Sequence, residues 1–138
     1  MGASMYAFIQ IDDNTPKDEP PFTNDPSTWD LSEDWRLNEK HYDFYAAIAG
    51  VRNRFGIEHL YPCRGLPSNV SERIQKEIPT KAPNVGWLTL AEIHQALAHM
   101  NISVEMLDKS VRLVLSTMQT AEEYYGSGRT RLVFRITD

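Results

Sequence analysis

A chain of 138 residues, 41% hydrophobic and 24% charged, has the length and composition of one globular domain and excludes an intrinsically disordered chain. A single cysteine, Cys63, excludes an intramolecular disulfide framework, and no apolar run approaches the roughly 18 residues that a membrane span needs. The net charge of −5 is concentrated in residues 12–37, where eight acids face Lys17 and Arg36, so duplex nucleic acid is an unfavourable partner.

No charged and apolar leader opens the chain, so a secreted or membrane-spanning protein is not expected. Gly2-Ala3-Ser4 before a second methionine reads as an appended leader, which places the start of the domain at Met5 and its span at 5–138. At this size one core should bury roughly two-thirds of the unfolded surface, enough to fold without a structural metal.

Met5 to Ile11 alternates, with Met5, Ala7, Ile9 and Ile11 on one face and Tyr6, Phe8 and Gln10 on the other, which predicts a strand. Residues 12–37 carry Pro16, Pro20, Pro21 and Pro26 among acids, so a long acidic surface loop is expected, pinned to the body at Phe22, Trp29 and Trp35, with the two tryptophans as its main anchors. The stripe Phe44, Ile48, Val51 and Phe55, followed by Gly56, predicts a helix over 39–55 with Arg52 and Arg54 in its last turn. Residues 57–67, with two prolines and a glycine, form an irregular connection. A short helix follows, capped by Ser68 or Asn69 and stopped by Pro79.

Thr89-Leu90-Ala91-Glu92 is a capping box, with Leu88 and Ile93 as its hydrophobic staple, and its helix should reach about Met100. Ser103 starts another helix, whose stripe Leu107, Val111, Val114, Met118, Ala121 and Tyr125 runs to Gly126-Ser127-Gly128. Arg129 to Thr137 alternates again. Terminal strands bracketing about four helices predict an α+β fold in which both chain ends share one small sheet.

Candidate chemistry is sparse. His94 and His99 lie about 140° apart around a helix and cannot chelate as an i, i+4 pair, and His59 with Cys63 lacks further ligands, so no metal site is expected. The acids of 12–37 lack the glycine and bidentate glutamate of a calcium loop. No nucleophile elbow, phosphate loop or dinucleotide motif is present, and no catalytic residue or cofactor is assigned.

The arginines offer more. Arg129, Arg131 and Arg135 share one strand face, Arg64 sits in an Arg-Gly-Leu-Pro turn, and Arg52 ends the first predicted helix. Guanidinium groups on rigid backbone suit phosphate or carboxylate, and Trp87 or Tyr61 can stack on a ring. The predicted ligand-binding set is therefore Arg52, Arg64, Trp87, Arg131 and Arg135. The alternatives for the same residues are a solvated face or neutralisation by the chain's own acidic loop.

Tyr42-Asp43-Phe44, Ala49-Gly50-Val51-Arg52, Arg64-Gly65-Leu66-Pro67, Trp87-Leu88-Thr89-Leu90-Ala91-Glu92 and Arg131-Leu132-Val133-Phe134, in that order over 39–138, resemble a set of small tailed-bacteriophage proteins of unassigned function. A His-Ser stretch common there before Trp-Leu-Thr is replaced here by Asn84-Val85-Gly86, so no role of that histidine is carried over. The resemblance implies a protein of the infected bacterial cytoplasm. The reading it favours is an anti-defence accessory protein that binds rather than catalyses, sequestering an anionic, nucleotide-like host signal. Inhibition of a host protein through the acidic loop 12–37 and a small hydrolase or transferase using Cys63 or His59 are the alternatives. The expected partners are thus an anionic small molecule or a host protein, with a homo-oligomer left open and no membrane or duplex nucleic acid.

Overall fold

The computed structural model describes residues 2–23, 30–31, 35–37, 41–79 and 82–138. Both chain ends form the middle of one antiparallel sheet. The first strand, β1 (Ser4–Ile11), and the last, β4 (Thr130–Thr137), pair along their whole length, from Ser4 against Thr137 to Ile11 against Thr130. Two shorter strands flank them: β2 (Trp35–Leu37) beside β1 and β3 (Val85–Thr89) beside β4, in the order β2-β1-β4-β3. The fold is α+β, with four α-helices among the described residues: α1 (Tyr42–Ala49), α2 (Glu72–Glu77), α3 (Leu90–His99) and α4 (Lys109–Tyr125). Among the described residues no helix is long and apolar enough to cross a membrane.

Period-two alternation on β1, β3 and β4 gives the sheet two apolar faces. Met5, Ala7, Ile9, Leu88, Leu132, Phe134 and Ile136 meet Phe44 and Ile48 of α1, Ile93 and Leu97 of α3, and Val111, Val114 and Met118 of α4 in the main core. Phe8, Val85 and Val133 point the other way, onto Val70, Ile74 and Ile78 in and around α2, with Trp87 packed at the margin.

The first predicted helix is shorter than its stripe. Gly50 ends α1 with φ 70°, and its N–H and that of Val51 bond the carbonyls of Ala46 and Tyr45. The glycine that ends the helix is Gly50 and not Gly56, which is also left-handed (φ 68°) but lies in the turn beyond, and the chain turns at Gly50 to bring His59 against the helix end. A Cβ on Gly50 would lie 2.5 Å from the His59 imidazole. Arg52 and Arg54 are consequently outside the helix.

Other differences are local. Ser71, rather than Ser68 or Asn69, caps α2 by accepting from the Ile74 N–H. Asp108, rather than Ser103, caps α4, and residues 104–106 form a 3-10 turn before it. Ala3 is fully buried and donates its N–H to the Tyr42 hydroxyl, and Ser4 opens β1, so these two residues ahead of Met5 belong to the fold. The loop after β1 is not wholly a surface loop: Asp12 and Thr15 are buried, and the segment expected to stay irregular to residue 37 ends in the edge strand β2. The expected docking through Trp29, and through the side chain of Trp35, lies outside the described residues.

The capping box is formed as expected. Thr89 Oγ1 accepts from the Glu92 N–H at 3.2 Å, and Glu92 Oε1 accepts from the Thr89 N–H at 3.0 Å. Thr89→Ala should lower the unfolding free energy by about 1 kcal/mol, read from urea unfolding at an unchanged m-value.

Candidate functional site

The second face of the sheet carries a polar patch where β1 and β4 reach the loop. Gln10 and Arg131 are cross-strand partners, and Thr89 sits beside Arg131 on the other side. The Arg131 guanidinium donates to Gln10 Oε1 at 2.8 Å and to Asn69 Oδ1 at 3.2 Å. Gln10 Nε2 in turn donates to Asp30, whose second oxygen accepts from the Ser71 hydroxyl at 2.7 Å. Arg131 is only 3% exposed. Burial pushes it down to about 10, against the opposing fields of Asp12 and Asp30, so it remains a cation at neutral pH.

Arg64 reaches the same place from outside. Its loop runs along the edge of β3, where the Gly65 N–H donates to the Val85 carbonyl at 2.9 Å. Gly86 permits this approach: a Cβ there would lie 3.0 Å from the Phe134 ring and 3.4 Å from the backbone of Cys63 and Arg64. The Arg64 guanidinium then stands over the Trp87 indole, 4.6 Å from its centroid, and 5.2 Å from that of Tyr61. Arg131 lies 5.9 Å from the same Trp87 ring. Two cations therefore face one indole, an arrangement that its electron-rich face favours.

Arg64 also forks onto Glu92, with Nη1 to Oε1 at 2.9 Å and Nη2 to Oε2. Glu92 thus serves both the helix cap and the arginine. Burial raises its carboxyl, but the Arg64 bonds and the Thr89 N–H outweigh that and hold it below the ordinary range. The Glu92 bond in turn raises Arg64.

The predicted set is only partly brought together. Arg64, Trp87 and Arg131 converge. Arg135 lies on the same face of β4 as Arg131 but four residues along, opposite Tyr6 and Val85. Arg52 is elsewhere: it has left the helix, takes φ 53°, and forks onto Asp138 at 2.6–3.1 Å while lying over Tyr42. Arg129, grouped with Arg131 by sequence, is buried and bonded to Asp12 at 3.3 Å and to the carbonyls of Thr15 and Pro16. For Arg129 the alternative of internal neutralisation by the acidic loop holds.

Asn69, Gln10, Phe22 and Asp12 enter the site without having been assigned to it; Phe22, expected only to pin the loop to the body, does so over Arg131. Asn69 had been given a capping role and Gln10 only a strand face. A polar residue at an inward position beside an inward arginine is the signal that could have found Gln10. Asp12 could have been found from its position at the end of β1, two and three residues before Asn14 and Thr15, whose N–H groups bond its Oδ1.

The catalytic alternative finds little support in the geometry. Burial pushes the Cys63 thiol up, opposite to what a thiolate nucleophile needs, and its sulfur lies 4.0 Å from the Ala49 carbonyl. Among the described residues no three His, Cys, Asp or Glu side chains gather to hold a metal ion. No family model, curated protein or solved structure matches the chain.

Asp12 holds the loop end of this patch. Burial alone raises its carboxyl, yet bonds from Thr15, Phe22 and Asn14 more than offset it, so its folded value lies below the ordinary 3.8. A carboxyl depressed by folding stabilises above its unfolded value, and that stability is lost as pH falls through the folded one. Asp12→Asn, which also leaves buried Arg129 without its counter-charge, should cost on the order of 3 kcal/mol at neutral pH. Its penalty should shrink on acidification from 3.8 downward; a penalty constant with pH in denaturant titrations would show that the charge is not what matters.

Proposed function

We propose that the protein binds rather than catalyses, taking an anionic, nucleotide-like small molecule at the Arg64–Trp87–Arg131 cluster. The observation that carries this reading is that two arginines from separate parts of the chain face one tryptophan ring. A guanidinium on a fixed loop with aromatic neighbours suits an oxyanion attached to a planar ring. The Glu92 carboxylate, already forked onto Arg64, marks the geometry an incoming two-oxygen anion would take. Arg131 adds a desolvated positive charge behind the indole, and the field of such a charge is less screened than one in water.

The setting we propose is the cytoplasm of a phage-infected bacterium, where holding such a signal would act against host defence. This part rests on the motif resemblance to small tailed-phage proteins. Arg52 is not included in the site, since it lies elsewhere, over Tyr42 and against Asp138.

Material released by denaturing the purified protein should contain a compound with a ring and an anion, identifiable by mass spectrometry. In calorimetric titrations of nucleoside phosphates, Arg64→Ala should weaken binding at least tenfold, because a charge-assisted bond contributes roughly 1.5–3 kcal/mol. Lys109→Ala, at the start of α4, should bind like the unmodified chain. Equal binding by the Arg64 and Lys109 variants would rule this site out.

A further inference from the structure

The loop after β1 returns to this cluster at Phe22. Its ring lies 4.3 Å from the Arg131 guanidinium, closer than the Trp87 ring at 5.9 Å. Phe22 takes φ 65°, a left-handed conformation that bulky residues rarely adopt and that persists only when neighbours impose it. Those neighbours are visible. The Phe22 N–H donates to Asp12 Oδ2, and its carbonyl accepts from Asn69 Nδ2, while Asn69 Oδ1 accepts from Arg131. A strained residue is thus held by its backbone so that its ring covers a buried cation.

We infer that Phe22 is a resident plug in the ring position of the site, occupying over Arg131 the place that a ligand's planar ring takes. The inference rests on the binding reading above and narrows it: the ligand joins an aromatic ring to an oxyanion, and a bare anion does not suffice. Three features support the exchange. Arg131 is almost wholly covered, so a ligand reaches it only if a covering group leaves. Phe22 is itself half-buried and accessible from solvent. One ring replacing another over the guanidinium preserves the cation–π contact, so the exchange leaves no uncovered cation.

The test removes the ring and keeps the tether. Phe22→Asn suits this, because asparagine tolerates the left-handed region and keeps both backbone bonds; Phe22→Gly is the second variant. Adenosine 5′-monophosphate and inorganic phosphate are titrated calorimetrically into each folded protein. The plug predicts at least tenfold tighter nucleotide binding in both variants, with phosphate binding unchanged. If the unmodified chain binds the nucleotide and the variants bind it no more tightly, the plug is wrong and the binding reading stands. An equal gain for phosphate would also overturn it, since Phe22 would then be a general shield. Loss of folding in both variants counts against it, because a plug is dispensable to the fold. Failure of every form to bind either probe overturns this inference and the reading beneath it together.

Discussion

The buried pair of Asp12 and Arg129 is the constraint around which the rest of this structure is arranged. Asp12 follows the last residue of β1 and Arg129 precedes the first of β4, so the pair closes the end of the central ladder. Both side chains are almost completely out of water, 0% and 7% exposed. Two charges so buried cost several kcal/mol each in desolvation, and their attraction offsets this only when the remaining lone pairs and protons are satisfied. Here they are: Asp12 accepts three backbone N–H groups, and Arg129 donates to two carbonyls. The Asp12 N–H to Arg129 carbonyl bond, 2.9 Å, adds a backbone tie at the same point.

That closure explains why acids dominate the loop without merely repelling one another. Asp12 and Asp30 are spent inward, on Arg129 and on Gln10 with Ser71, while Asp13, Asp18 and Glu19 face water. The eight acids and two bases of residues 12–37, a formal charge of −6, therefore overstate what an external partner meets. It also explains the asymmetry of the sheet. Along one end of the second face the inward positions are Gln10 and Arg131 instead of apolar residues, and a polar network replaces the small α2-covered core. A buried cation there is tolerable because polar loop groups and aromatic rings surround it.

Much of the fold was legible because its signals were strong and local. Alternation over Met5–Ile11 and 129–137 identified the two central strands, and their need for hydrogen-bonding partners put them in one sheet. The Thr89 box fixed α3 to within a residue, and the α4 stripe gave that helix its C-terminal end, although it starts six residues after Ser103. What was missed was decided by tertiary contact. The apolar stripe through Val51 and Phe55 continues past α1 because those residues pack on the core from a turn, while Gly50 ends the helix to admit His59. The strand β3 was hidden because only five residues, one of them glycine, lead straight into the capping box. For the site, residue type pointed to Arg64, Trp87 and Arg131. Only the fold could separate Arg52 from them, and only the fold could show that the neighbouring acid Glu92 answers Arg64.

Phe22 links the stability of the loop to the occupancy of the site, and the magnitudes decide whether that link can work. Moving Phe22 breaks its N–H bond to a charged carboxylate, a loss of roughly 1.5–3 kcal/mol, the Asn69 bond to its carbonyl, about 1 kcal/mol, and a stack on Arg131 contributing about 1 kcal/mol. Relief of the left-handed strain returns about 1 kcal/mol or more. The net cost of opening is then on the order of 3 kcal/mol, which places the open form at roughly one per cent of molecules or fewer. A form that scarce is hidden in the free protein yet within reach of a ligand that binds it 10²-fold better than the closed one. The other two Asp12 bonds, to Asn14 and Thr15, do not involve Phe22, so the pair with Arg129 can stay intact while the tip moves. The loop is therefore built in two parts: a base locked by charge, and a tip held by just enough to be displaced.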